Sequence, residues 1–108
     1  MKLIIAIVNK EDSSDLIREL NKANFMSTKL ATTGGFLRAG NTTLLIGTED
    51  EKVDDVLAVL RECCSKRTEI INTATGAYAE QFFATLPVEI TVGGATVFVV
   101  DVDRFIKM

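Results

Sequence analysis

Histidine and tryptophan are absent from the 108 residues, and there is one proline, one tyrosine and two cysteines. Without histidine the chain lacks the commonest general base near neutral pH and the commonest zinc ligand. The two cysteines, Cys63 and Cys64, are adjacent in sequence. They make a poor disulfide framework and point to a reducing, cytoplasmic compartment. An excess of basic charge is also missing, with 12 Lys and Arg against 15 Asp and Glu for a net charge of -3. Binding to DNA or RNA through bulk charge needs a clearly basic face, so a nucleic-acid partner is not expected. No apolar run reaches the roughly 18 residues of a membrane span, so no membrane association is expected either. The opening apolar run, Leu3-Ile4-Ile5-Ala6-Ile7-Val8, stops at Asn9-Lys10-Glu11-Asp12 with no small-residue cleavage site after it. It reads as a first strand and not as a secretory signal.

What is present is core material. The chain is 47% hydrophobic and 25% charged, which suits one packed domain over residues 1–108. Residues 2–8 read as a buried strand. Leu16, Ile17, Leu20 and Ala23 recur at helical spacing and predict a helix over 13–23, with Asn24 as its stop. Residues 28–33 and 42–47 read as strands on either side of a glycine-containing turn. Thr48 and Glu51 suit a capping box, and Val53, Val56, Leu57, Leu60 and Cys64 mark the inner face of a second helix over 50–64. A short strand is expected at 69–71. The rest of 66–86 fits no period and reads as a flexible loop, of a length that is usually functional or disordered. Pro87 opens a strand, Gly93-Gly94 suits a two-residue hairpin turn, and residues 95–102 return as the last strand, with Phe105-Ile106 folding back on the sheet. This order describes an α+β, ferredoxin-like βαββαβ sandwich with an extra C-terminal hairpin strand and a long loop before it.

Four of the seven glycines, Gly34, Gly35, Gly40 and Gly47, fall within fourteen residues. Such a turn lets the backbone approach a ligand closely and can present N–H groups to an anion. Polar residues surround it, among them Thr28, Lys29, Arg38 and Asn41, and the Asn41 amide suits the edge of a nucleobase. Phe36 and Leu37 sit at its tip and need a ligand or a neighbouring subunit to cover them. The bland alternative is a hairpin whose tip packs on its own protein. The spacing is neither a P-loop nor Gly-x-Gly-x-x-Gly. Asp101-Val102-Asp103 reads as a solvated strand end more readily than as a cation site. Cys63-Cys64 reads as one core and one half-exposed helix residue. Glu11-Asp12 and Glu49-Asp50-Glu51 read as helix-start acids. Tyr78, Phe82 and Phe83 suit either a loop folded on itself or a grip on bases or a partner. No nucleophile–base pair and no spaced carboxylate dyad occurs, so no catalytic residue, metal or cofactor is assigned, and a binding or regulatory protein is expected rather than an enzyme.

The run Thr32-Thr33-Gly34-Gly35-Phe36-Leu37-Arg38-Ala39-Gly40-Asn41-Thr42-Thr43 resembles the cyclic di-AMP receptor family, small PII-like signal transduction proteins of Gram-positive bacteria. The opening Met1-to-Val8 segment, Thr28-Lys29-Leu30-Ala31, Pro87-Val88-Glu89-Ile90 and Val92-to-Val99 match as well, leaving out mainly residues 67–85. The resemblance implies a homotrimer of ferredoxin-like subunits that binds the second messenger cyclic di-AMP in clefts between subunits. Carried over by position, the ligand-binding set is Asn24, Met26, Thr28, Gly35, Phe36, Leu37, Arg38, Asn41, Gly47 and Phe98, with Phe98 supplied by a neighbouring subunit. Thr28 and the N–H groups of Gly35 to Leu37 would hold phosphate oxygens. Asn41 and the Gly47 backbone would read an adenine edge, and Phe36 and Leu37 would cover a base. One departure stands out: the family's Phe-Arg-Ala-Thr run is Phe25-Met26-Ser27-Thr28 here, so an arginine is replaced by Met26. A guanidinium bound to phosphate contributes roughly 1.5–3 kcal/mol, so weaker or altered binding follows. The expected function is a non-enzymatic receptor whose loops reorganise on binding to regulate a downstream protein. The alternatives are a PII-type sensor of ATP, ADP or another mononucleotide and a ligand-independent trimeric interaction protein.

Overall fold

Strict alternation organises the first strand. In β1 (Lys2–Asn9) Ile4, Ala6 and Val8 are buried, while Leu3, Ile5 and Ile7 on the opposite face are half-buried. Among the described residues, the continuous apolar run therefore belongs to a strand covered by helices on one face only. The computed structural model describes residues 1–30, 40–72 and 87–108. Its further elements are α1 (Lys10–Lys22), β2 (Ser27–Leu30), β3 (Asn41–Thr48), a single 3₁₀ turn (Asp50–Lys52), α2 (Val53–Cys64), β4 (Arg67–Asn72), β5 (Pro87–Val92) and β6 (Ala95–Asp101).

The main sheet has the order β2-β3-β1-β6, with antiparallel pairing throughout. Its inner face packs Ile4, Ala6, Val8, Leu44 and Ile46 against Leu16 and Leu20 of α1 and Val56, Leu60 and Cys64 of α2. Each large side chain sealed in this layer contributes roughly 1.5–3 kcal/mol. This is the ferredoxin-like sandwich expected from the element order, and β6 closes it as the fourth strand.

Local chemistry moves some boundaries. Helix α1 begins three residues before the expected start, because the Asn9 side chain accepts the Glu11 N–H and caps it. Its end is a Schellman motif: Phe25 N–H donates to Leu20 O at 2.8 Å, Asn24 N–H donates to Asn21 O at 3.0 Å, and Asn24 adopts φ 65°. Phe25 and Leu20 both enter the core, which supplies the motif's hydrophobic contact. The capping box expected at Thr48 and Glu51 does not form. Thr48 is the buried last residue of β3, and neither the 3₁₀ turn nor α2 has a side-chain cap.

The largest correction concerns Gly93-Gly94. These residues do turn, at φ 82° and 94°, but they do not close a hairpin between β5 and β6. Strand β5 pairs with β4 in a separate two-stranded ribbon, and β6 pairs with β1. The turn passes the chain from the ribbon into the main sheet. The strand expected at 69–71 is thus the middle of the longer β4. The chain from 73 to 86, which holds most of the expected loop with Tyr78, Phe82 and Phe83, lies outside the described residues, as do residues 31–39.

Candidate functional site

The turn that ends α1 sorts the side chains beside it. Once Phe25 is drawn into the core, the backbone reversal leaves Met26 83% exposed. Strand β2 then runs along β3 as an edge strand, with Ser27 opposite Ile46 and Thr28 opposite Leu45. Asn24, Met26 and Gly47 consequently line one cleft of about 710 Å³, together with Lys52 and Phe105. Gly47 has no positive φ, and a Cβ built on it would meet nothing within 4 Å. The fold of this chain does not require glycine there, and the bare backbone stays open to an approaching group.

The charges around this cleft are mixed. Glu49, Lys52 and Asp55 line it along with the N-terminal residue. The Met1 ammonium donates to Asp50 Oδ1 at 2.8 Å. That bond raises the ammonium's pKa above its ordinary value and lowers that of the Asp50 carboxyl.

Asn41 stands elsewhere. It opens β3 opposite Asn9 and lines a separate polar cleft of about 260 Å³ with Lys66, Gly93, Gly94 and Thr96. Gly47 lies six positions further along the strand, about 20 Å at roughly 3.4 Å per residue. Within one subunit Asn41 and Gly47 do not meet at one base edge. Gly35, Phe36, Leu37 and Arg38, the centre of the glycine-containing turn, lie outside the described residues.

Phe98 is 52% exposed, on the face of the sheet that carries no helix among the described residues. It pairs across to Ile5, Ile5 pairs to Leu45, and Leu45 pairs to Thr28. Leu3, Ile7 and Val100 share this face with Ile5, Leu45 and Phe98, making it apolar across three strands.

Both cysteine thiols are held in the protonated form. Burial, followed by the nearby Asp12 charge, pushes the Cys64 thiol up to about 11, and burial also raises Cys63. Neither supplies a thiolate at neutral pH. Asp101 is engaged by the Lys2 ammonium in an exposed ion pair. Among the described residues no group of three or more metal-binding side chains comes together.

Three features escaped the sequence reading. Phe105, expected to fold back on the sheet, is 65% exposed and lines the Met26 cleft. Lys52 joins that cleft only because the 3₁₀ turn brings it beside the end of α1. Asp12, read as a helix-start acid, is buried and bound to Arg67, 55 residues away. No local pattern signals any of these contacts.

A family model described as cyclic-di-AMP receptor matches residues 1–108. The crystal structure of a functionally unknown protein from Pediococcus pentosaceus ATCC 25745 is 40% identical, over 99% of this chain and 96% of that one, with a TM-score of 0.78.

Proposed function

This chain belongs to the cyclic-di-AMP receptor family, and from that premise we propose that it binds cyclic di-AMP as a non-enzymatic signalling protein, in clefts shared between the subunits of a homotrimer. The observation that carries the reading is the convergence of Asn24, Met26 and Gly47 on one open cleft beside the edge strand β2. The glycine-containing turn of residues 34–40 continues the site by sequence, with Gly35 to Leu37 donating N–H groups to phosphate and Arg38 adding charge. Thr28 adds a hydroxyl on the same edge strand.

The assembly has physical support. A sheet face bearing Leu3, Ile5, Ile7, Leu45, Phe98 and Val100, with no helix over it among the described residues, is an apolar surface that burial between subunits would remove from water. A ring of subunits also brings the Phe98 edge of one beside the Thr28 edge of the next. The site is then completed across the boundary, and Asn41 and Gly47 serve it from different protomers or contact different parts of one ligand.

Binding acts as a signal through differential affinity. Cyclic di-AMP reorganises the loops only as far as it favours their bound arrangement, and the reorganised surface is read by a downstream protein. Free thiols at Cys63 and Cys64 suit a cytoplasmic setting.

Titration calorimetry of the full chain with cyclic di-AMP and with ATP tests the reading. Saturable heat with cyclic di-AMP, at one ligand per subunit, is expected, with ATP at least about tenfold weaker, a difference of about 1.4 kcal/mol. Absence of heat and of any thermal shift with cyclic di-AMP rejects it, and tighter binding of ATP makes the protein a mononucleotide sensor.

A further inference from the structure

Among the described residues the β4–β5 ribbon is a pair of strands that pair only with each other, in register. A two-stranded ribbon is marginally stable by itself and needs anchoring. Both of its body-side ends arrive at the same point. At the start of β4, Arg67 Nη2 donates to Asp12 Oδ1 at 2.9 Å. At the end of β5, Gly94 N–H donates to Cys64 O at 2.5 Å.

The Asp12 side chain is 8% exposed, against 43% for Arg67. Its second oxygen, Oδ2, is buried and has no hydrogen-bond partner among the described residues. Gly93 lies directly over the pair: a Cβ there would stand 2.6 Å from Arg67 Nη1, 2.8 Å from Ser65 O and 3.4 Å from Asp12 Oδ2. Only a residue without a side chain lets the turn rest on the guanidinium and carboxylate. A buried carboxylate is costly to leave without its cation, so the body holds Arg67 and, through it, the ribbon.

We infer that the Asp12–Arg67 pair, roofed by Gly93, is a latch that sets the direction of the β4–β5 ribbon relative to the sandwich. The ribbon is built to move as a unit when the latch opens. Among the described residues its strands pair only with each other, so freeing their base lets the ribbon swing and open together, and the consecutive positive-φ glycines at 93 and 94 provide the pivot. The latch also borders the polar cleft of Asn41, whose wall includes Lys66, Gly93 and Gly94. An occupant of that cleft touches the pivot, which gives the ribbon a physical route for sensing it. The latch itself is independent of which ligand the protein binds.

Hydrogen–deuterium exchange on the full chain without ligand tests this, using Arg67→Gln and Asp12→Asn. Arg67 is half-exposed, so Arg67→Gln leaves the core untouched. Amides of residues 68–72 and 88–92 are expected to exchange about tenfold faster in both variants, as befits loss of one charge-assisted contact, while β1 and β3 keep their protection. Unchanged exchange of the ribbon in Arg67→Gln overturns the latch. So does acceleration spread evenly over β1 and β3, which marks a loss of global stability. Should Asp12→Asn fail to fold, Arg67→Gln decides alone. Cyclic di-AMP is then added to wild type and Arg67→Gln. Failure to bind in both rejects the proposed function and leaves the latch result standing.

Discussion

Thr28 and Phe98 stand in one cross-strand row, Thr28–Leu45–Ile5–Phe98, at the opposite edges of the main sheet. Three strand spacings of roughly 4.8 Å put about 14 Å between them. A dinucleotide held against the outer edge at Thr28 is beyond the reach of Phe98 in the same subunit. If both residues serve one site, Phe98 comes from the neighbour.

Phe98→Asp is therefore expected to do two things together. It places a charge on the apolar face, so sedimentation should shift from the proposed trimer to monomer, and calorimetric binding of cyclic di-AMP should fall by at least about a hundredfold, about 2.7 kcal/mol. Far-UV circular dichroism should be unchanged, because Phe98 lies outside the buried core. A monomer that still binds with wild-type affinity rules out a shared site.

Met26→Arg introduces the arginine that the family resemblance implies at this position. Met26 is 83% exposed, so stability should change by less than about 0.5 kcal/mol. Affinity for cyclic di-AMP should rise about tenfold, at the low end of what a charge-assisted bond to phosphate supplies. Unaltered affinity in calorimetry removes position 26 from phosphate binding.

Gly47→Val separates packing from binding. The space over Gly47 is open, and a β-branched residue is well suited to a strand. The melting temperature should hold or rise, while cyclic di-AMP binding should be lost or weakened at least about tenfold because the added methyl groups cover the backbone. A variant that binds normally means that no ligand approaches β3 at this point.

Alkaline pH should weaken the fold through groups whose folded pKa is raised. The Met1 ammonium starts from an ordinary value of 8.0 and is raised by its bond to Asp50; Cys64 is moved by burial from 9.0 to about 11. Each contribution is fully present below the unfolded value and is lost as pH rises through the folded one. Asp50 works at the other end: its lowered carboxyl contributes above its ordinary 3.8 and the contribution is lost as pH falls through the folded value. Melting temperature should thus decline from pH 8 upward, and Asp50→Asn should remove the earliest part of that decline. Iodoacetamide at pH 8 should leave Cys64 unmodified in the native protein and alkylate it in denaturant, as read by mass spectrometry.

Periodicity made much of this architecture legible in one dimension. The helical spacing of Leu16 and Leu20 and the Val56–Leu60–Cys64 stripe each report which face meets the core, because burial acts on every turn alike, whereas the continuous apolar run of β1 announced a strand without saying which face the helices cover. Asn24 announced the end of α1 because a left-handed residue is required there. The Gly93-Gly94 turn was recognisable as a turn, yet its partner strands were not. A turn's local geometry is compatible with a hairpin or with a change of sheet, and pairing is decided by which distant strand offers a free edge.

The same division runs through the candidate site. Residue identities alone determined a small ferredoxin-like domain, the absence of histidine chemistry, and the family to which the chain belongs. Only the folded chain decided that Asn24, Met26 and Gly47 share a cleft, that Asn41 lies at the other end of β3, and that Asp12 seals against Arg67. These are contacts between residues far apart in sequence. They follow from strand order and register, which depend on the whole buried surface at once and leave no mark on the neighbours of any single residue.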